Sequence, residues 1–582
     1  MTPDPPNATI AALFDELADL YELDGAIVHR VVAYRNAAKA VREATTSVAA
    51  MTRAGTVTSL PGIGKTLEEK INDLLETGTI PAVEKLRAKF PPGLVDMTRL
   101  PGLGPKRARK LFDELGIDSL QALETAAKEH RLRDVRGFGA KFEETVLSAM
   151  AAGLGDQPRA RTLLPRALAV GEGIVEALRA QGGRVGLDRV ELAGGARRLA
   201  DSVKDLDIIA TATDPPALLK AFAELDVFEN ASTPGDNAAR ARTHAGLDVD
   251  FRVVEPDQFG NLLQHFTGSK EHNMALRERA VRKGLHVSEY GILDDADGAT
   301  LRCATEEEVY ERLGLPYIPP ELRENRGELD LKKIPPLIEL DDLRGDLHMH
   351  TVASDGRNTV EEMAHAAIER GYEYIAITDH SASHGFGNDV SPKELAKQIE
   401  RVRRINGQID GIEILIGTES NIHVDGTLDY PDDLLAELDW VIASVHTSFQ
   451  MSSEDMTARV IAACEHPSCD AIGHLTGRKI ERRQPYAIDV DAVIAAAART
   501  GTMLEINSAG DRRDLNDVHA KAAREAGVQI LINSDAHRTE TLANIRWGVA
   551  TARRAWLGPK DVANTLPWKK FAPLRKRVAS AK

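Results

Sequence analysis

LRGDLHMHTVASDGRNTVEEMAHAAIERGYEYIAITDH (343–380) sets a short apolar strand, a polar loop, a helical stretch and a second apolar strand in succession, and each strand ends on a histidine. A helix between two such strands implies a parallel pair. The unit recurs toward the C-terminus, where EILIGTE (413–419), WVIASVH (440–446), DAIGH (470–474), MLEIN (503–507) and QILINSD (529–535) alternate with Ala-rich helices. Seven strand-helix units over 343–582 predict a parallel α/β barrel. His348 and His350 alternate along one strand and so share a face, and Asp355 follows in the next loop. His380, Glu419, His446 and His474 each end a later strand, and Asp535 with His537 ends the last. Because the C-terminal ends of barrel strands converge on one mouth, these nine residues are expected to meet there. Any one of them reads equally well as a satisfied core residue; the set of nine does not. Mixed imidazole and carboxylate ligands suit two or three Mn2+, Zn2+ or Fe2+ ions better than Mg2+. Closely spaced ions activate water against a phosphodiester, and Arg478 and Lys479, just after His474, are placed to hold the phosphate.

The motifs HMH, SDG, TDH, GTE, SVH, GH and SDAH resemble those of the PHP (polymerase and histidinol phosphatase) domain. That resemblance implies a distorted seven-stranded barrel and metal-dependent phosphoesterase chemistry.

Upstream, the chain is of another character. With 582 residues it needs several cores. Its 43% apolar and 28% charged residues are those of an ordinary globular protein. No apolar run is long enough to span a bilayer and MTPDPPNATI lacks a signal-peptide pattern, so a cytoplasmic, nucleoid-associated protein with no membrane partner is expected. Cys303, Cys464 and Cys469 make no disulfide framework. A net charge of -16 speaks mildly against nucleic acid, but PKRARK (105–110) and RERAVRK (277–283) are locally basic, and metal sites consume carboxylates.

Residues 1–90 and 91–160 read as two α-helical units, with PPGL (91–94) at their joint. SLPGIGKTLEEKI (59–71) and RLPGLGPKRARKLF (99–112) both set Pro-Gly-apolar-Gly between helices, and VRGFGAKFEETV (135–146) is a weaker third copy. Such glycines permit a tight turn, and the helix that follows offers free amides to a phosphate. The pattern resembles the helix-hairpin-helix motif, with Gly62, Gly64, Lys65, Gly102, Gly104, Lys106 and Arg107 as DNA contacts and Arg109 beside them. A plain helix-helix turn is the simpler alternative for one copy, less so for two.

Residues 161–325 mix helices with β-branched strands, an α+β domain, and 326–342 reads as a Pro-bearing charged linker. In SVKDLDIIAT, Asp205 and Asp207 share a strand face, and Asp250 in LDVDFRVV is placed to add a third carboxylate from a neighbouring strand. On these residues alone, an Mg2+ site and a solvated alternating strand are equally open. GGARRL (194–199) just upstream adds amides at Gly194 and Gly195 and the charge of Arg198, which together look like a nucleotidyltransferase.

FTGSKEHNMALRERA (266–280) and GLHVSEYGI (284–292) resemble the nucleotide-binding segment and following strand of family X DNA polymerases, a similarity running from about residue 7 to 325. The resemblance implies that Asp205, Asp207 and Asp250 hold two Mg2+ or Mn2+ ions for nucleotidyl transfer. Arg198 with Gly194 and Gly195 would hold the triphosphate. Phe266 and Gly268 would border the sugar, Asn273 the base edge and Arg277 the template strand. Two departures stand out: Gly195 where Ser is usual, and His265 where a Tyr often precedes Phe266. The N-terminal unit resembles the family's lyase domain, in which Lys70 is the positional match for the Schiff-base lysine, with Tyr34 and Lys39 nearby. An ordinary solvated helix lysine is the competing reading of Lys70.

The expected protein is therefore a multidomain, monomeric DNA polymerase. It would fill gaps in gapped or primed DNA from deoxynucleoside triphosphates, with a barrel that trims 3′ ends, acts as a 3′→5′ exonuclease or cuts abasic sites. The alternative is a PHP-type phosphoesterase tethered to DNA by a polymerase-like domain with weak or lost synthesis.

Overall fold

The computed structural model describes residues 4–44, 46–98, 100, 102–151, 161–385 and 389–576. They form two compact units. The first takes in Met1–Thr162, Ala169–Leu192 and Lys204–Glu255; the second takes in Leu163–Leu168, Ala193–Val203 and Pro256–Lys582. The segment read as one α+β domain, 161–325, is thus shared between them. The expected joint at 160 and the outermost residues of the chain lie outside the described residues.

The first unit opens with α1 (Asn7–Leu23) and α2 (Val28–Glu43). Ile10, Phe14 and Leu17 recur at helical spacing on α1 and are buried with Tyr34, Ala38 and Val41 of α2. The chain then makes one kind of turn three times. Gly62, Gly102 and Gly137 have φ of +83°, +76° and +97°, a region that costs other residues strain. Each is followed two residues later by a second glycine and then a helix: α3 (Lys65–Thr77), α4 (Pro105–Leu115) and α5 (Ala140–Ala151). The third copy, weak in sequence, thus has the geometry of the other two.

The sheet of this unit has strands β1 (Leu187–Leu192), β2 (Asp205–Ala212), β3 (Phe228–Gly235), β4 (Ala238–Thr243) and β5 (Asp248–Val253), in the order β1-β2-β5-β4-β3. Strands β2 and β5 run parallel and the other pairs antiparallel. Along β5, Val249, Phe251 and Val253 are buried while Asp248, Asp250 and Arg252 alternate on the opposite face. Helix α6 (Pro215–Ala223) stacks Phe222 on Phe251 at 4.5 Å.

The second unit contains α7 (Phe259–Thr267) and α8 (Lys270–Val281) beside a small antiparallel sheet of β6 (Leu285–Ser288), β7 (Gly291–Asp294) and β8 (Thr300–Leu301). The barrel follows as β9 (Gly345–Met349), β10 (Tyr374–Ile377), β11 (Glu413–Asn421), β12 (Trp440–Ser444), β13 (Ala471–Ile472), β14 (Met503–Asn507) and β15 (Ile530–Asn533). Each strand pairs in parallel with the next. A parallel bridge from Met349 to Ala536 brings the last strand back to the first, so the sheet nearly closes. Leu347, Tyr374, Leu415, Trp440 and Leu531 form one core cluster of this barrel. Ile375, Ile416, Val441, Leu504 and Ile532 belong to another with its helices, which include α9 (Val360–Ile368), α10 (Pro392–Asn406), α11 (Ser453–Glu465), α12 (Val490–Thr500), α13 (Asp517–Glu525) and α14 (Ile545–Arg554). Helices α9 and α10 start on Ser/Thr-x-x-Glu capping boxes, Thr359 with Glu362 and Ser391 with Glu394.

The stretch 326–342 is no solvated tether. Glu328 is wholly buried, Leu329 joins a cluster with Leu276, Tyr310 and Trp556, and Ile338 enters the barrel core. Cys303, Cys464 and Cys469 are buried and unbridged. Among the described residues no helix is long and apolar enough to cross a membrane.

Candidate functional site

At the barrel mouth, the register slips between Asp346 and Met349 on β9. A bulge of this kind re-aims side chains, and His348 and His350 both turn onto the carboxylates of the mouth. His350 Nε2 lies 3.1 Å from Asp535 Oδ1 and 3.6 Å from Glu419 Oε2, and His348 Nε2 lies 3.4 Å from Glu419 Oε2. Glu419 sits at the centre: His380 Nδ1 is 2.9 Å away on one oxygen, and His446 and His474 are at 3.1 and 3.0 Å on the other. Asp355, at the rim, meets His537 at 3.2 Å and His380 at 3.6 Å. All nine residues singled out in the sequence come together here. Three groups have ligand atoms within 4.8 Å of one another: His350, Asp355, His380 and His537; His348, His350 and Asp535; His380, Glu419 and His446.

The carboxylates and imidazoles of the mouth are electrostatically interdependent. Burial by itself would raise the Glu419 carboxyl, yet His446, His348 and His380 hold it well below its usual range. Asp535 is likewise held down against burial, by His348 and His350. His350 is pushed down to about 4 by burial and by its neighbours His537 and His380. His348 Nε2 and His350 Nδ1 are buried without a hydrogen-bond partner. Buried lone pairs facing ionised carboxylates are the donor set that divalent ions require, and the residues fit them.

Two residues that sequence reasoning passed over hold this arrangement. Glu505, in β14, accepts from His348 Nδ1 at 2.7 Å, from the His474 backbone N–H at 2.8 Å and from Asn533 Nδ2 at 3.0 Å. A partner on the far nitrogen fixes which nitrogen a ligand histidine presents. Asp379 accepts from Thr351 N, Thr351 Oγ1, Ser354 Oγ and Gln398 Nε2 at 2.6–2.7 Å, which pins the loop bearing Asp355. Gly356 of that loop admits no side chain, since a Cβ would fall 2.5 Å from the His350 carbonyl oxygen. The readable signal for Glu505 was a carboxylate inside the apolar strand MLEIN. Arg478 and Lys479 are already engaged: Arg478 with Asp201 at 2.8 Å and the Arg513 carbonyl, Lys479 with Asp511 at 3.0 Å.

A second carboxylate cluster lies on the five-stranded sheet of the first unit. The parallel register sets Asp207 beside Asp250 and Asp205 beside Asp248. Asp205, Asp207 and Asp250 thus share the open face, as their spacing of two on a strand requires. Asp250 takes a two-point contact from Arg252 at 2.8 and 3.2 Å, with Arg240 at 3.7 Å, and Asp248 pairs with Arg242 at 2.6 Å. Arginines already offset Asp248 and Asp250.

The residues assigned to the nucleotide belong to the second unit, where the turn after α7 gathers most of them. Gly194, with φ +63°, and Gly195 open the short helix Gly194–Arg197. Arg198 donates to Glu324 at 3.1 Å and to the Thr267 carbonyl, beside Gly268. Asn273 donates to the His265 carbonyl at 2.7 Å and accepts from Gln264 at 2.8 Å, while Arg277 meets His265 Nδ1 at 3.1 Å. His265 lies beside Phe266 at 5.7 Å and thus sits among these groups, in place of the usual tyrosine.

Of the hairpin residues, Lys65 and Lys106 are exposed. Arg107 instead spans two turns, donating to the Gly102 carbonyl at 2.7 Å and the Gly137 carbonyl at 3.0 Å, over the rings of Phe138 and Phe142. Arg109 donates to the Leu23 carbonyl and to Asp113. Lys70 is half-buried on α3; Tyr34 is buried on α2, its hydroxyl pushed up to about 12 by burial and by Tyr21.

Comparison with known proteins matches four family models in chain order: a helix-hairpin-helix domain over residues 5–80, a SAM-like helix-hairpin-helix tandem over 94–150, a DNA polymerase beta thumb over 262–324 and a PHP domain over 346–509. A "DNA polymerase/3'-5' exonuclease PolX" from Bacillus subtilis (strain 168) is 38% identical over 571 residues, which is 98% of this chain and 99% of that one. A probable phosphatase of Thermoanaerobacter sp. (strain X514) is 33% identical over 38% of this chain and 89% of its own length. One from Caldanaerobacter subterraneus is 36% identical over 33% and 75%.

Proposed function

The chain belongs to the bacterial family X DNA polymerases that carry a C-terminal PHP domain, and from that membership we propose how its two centres divide the work. It is a DNA-directed DNA polymerase joined to a 3′→5′ exonuclease, and it acts with divalent metal ions on DNA and deoxynucleoside triphosphates. Our reading is gap-filling repair by a monomer in the nucleoid, with synthesis at Asp205, Asp207 and Asp250. Divalent ions bound there, Mg2+ or Mn2+, would lower the pKa of the primer 3′-hydroxyl and steady the leaving triphosphate. Asp250 gives up its pairing with Arg252 to serve. Arg198 and the amides of Gly194 and Gly195 bind the triphosphate, Phe266 and Gly268 border the sugar, Asn273 faces the base edge and Arg277 the template. The hairpin turns at Gly62–Gly64 and Gly102–Gly104, with Lys65 and Lys106, hold backbone phosphates, and Arg107 serves by tying the second turn to the third. Lys70 is the candidate Schiff-base lysine for an abasic sugar.

The barrel trims 3′ ends and cuts at abasic sites. Two or three Mn2+, Zn2+ or Fe2+ ions at His348, His350, Asp355, His380, Glu419, His446, His474, Asp535 and His537 would supply a hydroxide nucleophile and neutralise the phosphodiester. Glu505 and Asp379 orient the ligands and exclude other geometries. We divide the chain into a lyase-like unit (1–90), fingers (91–160), palm with nucleotide-binding subdomain (161–325), a connecting stretch (326–342) and the PHP domain (343–582).

The observation that carries this reading is the gathering of nine ligands, scattered over 190 residues of sequence, around Glu419 and Asp535, while a separate carboxylate set gathers on another sheet. The test is gapped, end-labelled DNA with Mn2+, with and without nucleotides. Asp205→Ala should lose extension and keep degradation, and His350→Ala the reverse. If Asp205→Ala extends as well as wild type, the polymerase site is wrongly placed. The second reading, a phosphoesterase tethered to DNA, draws on the probable phosphatases that match about a third of the chain and on Gly195, which lacks the usual hydroxyl. A wild-type protein that degrades but never extends a primer would select it.

A further inference from the structure

The segment that follows the short helix Gly194–Arg197 and turns at Leu199 is wired to the barrel. Arg554, at the C-terminal end of α14 and 8% exposed, donates through Nη1 to the Arg198 carbonyl and to Glu324 Oε1, both at 2.8 Å. Its Nη2 pairs with Asp517 at 2.9 Å. Glu324 is in turn the partner of the Arg198 guanidinium at 3.1 Å, so one barrel arginine fixes both the backbone and the side chain of Arg198. A second barrel arginine, Arg513, is wholly buried and reaches the same segment: Nη2 donates to the Leu199 carbonyl at 3.0 Å, and Nη1 faces Asp201 Oδ1 at 3.2 Å.

Leu199 has φ +56°. A β-carbon-bearing residue holds that conformation only where its surroundings over-determine it, and here the bonds to the carbonyls on either side of its Cα, those of Arg198 and Leu199, do so. Buried guanidinium groups are costly to desolvate unless they are fully partnered. Neither Arg513 nor Arg554 touches the barrel's own ligands, so nothing in the nuclease centre requires them to be arginine.

We infer that this face of the PHP barrel is a platform that presets the nucleotide turn, and that Arg554 and Glu324 are positioning residues for nucleotide insertion. The barrel then has a role in synthesis that is separate from its hydrolytic centre. The inference rests on the polymerase reading above, and on Arg198 as the residue that meets the triphosphate. A turn held before the nucleotide arrives spares the cost of ordering it on binding. Loosening it should therefore act on nucleotide affinity more than on the chemical step.

The test is single-nucleotide insertion on gapped DNA by the full chain, with 3′→5′ degradation and thermal melting measured on the same preparations. Arg554→Ala and the milder Glu324→Gln should raise KM for the nucleotide on the order of tenfold or more, with kcat little changed and degradation at the wild-type rate; Glu324→Gln should melt as wild type, while Arg554→Ala, which takes a buried partner from Asp517, should melt lower. Arg554→Lys should recover part of the loss, because an ammonium reaches Glu324 but cannot bridge Arg198 and Asp517 together. Unchanged KM in both Arg554→Ala and Glu324→Gln overturns the inference. So does a joint fall of insertion, degradation and melting temperature in both, which would make the contact merely part of the fold. A wild-type protein that inserts no nucleotide sinks the polymerase reading itself, whereas an active wild type with indifferent variants sinks the platform alone.

Discussion

Glu505→Gln isolates the support beneath the metal centre without touching a ligand. In the wild type, Glu505 Oε1 accepts from His348 Nδ1 at 2.7 Å and Asn533 Nδ2 at 3.0 Å, while Oε2 accepts from the His474 N–H at 2.8 Å and Asn507 Nδ2 at 3.3 Å. All four partners are donors, so a glutamine must turn its amide NH2 against two of them whichever way it flips. The bond to His348 also loses its charge assistance. Bonds to charged groups are worth about 1.5–3 kcal/mol, and a tenfold change in affinity corresponds to about 1.4 kcal/mol. The variant should therefore bind Mn2+ about tenfold to a hundredfold more weakly. The assay is titration of metal-stripped protein with Mn2+ by calorimetry, alongside 3′→5′ degradation against Mn2+ concentration. The degradation curve should shift to higher Mn2+ and approach the wild-type plateau, while nucleotide insertion, which we propose to occur on a different sheet, stays unchanged. Mn2+ affinity and degradation both within twofold of wild type would refute the reasoning.

Three further outcomes are expected. Gly195→Ser restores the hydroxyl common in the family; its Cβ would lie 3.2 Å from Val203 Cγ1, close enough to need a slight shift, so KM for the nucleotide should fall about fivefold for a bond worth about 1 kcal/mol, and a rise in KM would count against Gly195 lining the triphosphate. Arg107→Ala should weaken gapped-DNA binding but leave the slope of log affinity against log salt unchanged, because the guanidinium is spent on the Gly102 and Gly137 carbonyls; a slope lower by about one would mean a direct phosphate contact. Glu143, in the third hairpin unit, is held down to about 2 by bonds from Arg133, against an ordinary value of 4.5; since the folded value lies below the unfolded one, this stabilisation is present above about pH 4.5 and lost as pH falls toward 2. Helical melts by circular dichroism from pH 7 to pH 3 should show that loss in wild type and a flatter profile in Glu143→Gln, and equal slopes would refute it.

The barrel was the most legible part of the chain because its ligands sit at one recurring place, the C-terminal end of a strand, and topology alone then gathers them. Asp205, Asp207 and Asp250 were legible for a related reason: spacing of two on a strand fixes a face, although only the parallel register of β2 with β5 shows that Asp207 and Asp250 are side by side. The bulge that turns His348 inward left no trace in LRGDLHMH, and strict alternation alone would have reached the right face by the wrong backbone. Glu505 was missed because a buried carboxylate in a strand looks like a ligand or an error until its four donors are seen.

What the sequence hid most completely is the wiring of Arg198, Leu199 and Asp201 to Arg478, Arg513 and Arg554, pairs separated by 277 to 356 residues. An arginine in a helix or loop has no local signature that distinguishes a solvated side chain from a buried one, because the deciding partner is a carboxylate or carbonyl from a remote segment. The same blindness affected the charge argument. A net charge of -16 speaks mildly against a nucleic-acid partner, yet many of its carboxylates are committed, Glu419 and Asp535 to a site for cations and Asp201, Glu324 and Asp517 to buried arginines. Charges neutralised in place contribute little field at the distance of a DNA backbone. On our reading, the hairpin turns with exposed Lys65 and Lys106 would therefore meet a DNA backbone with their local charge and not with the sum over the chain.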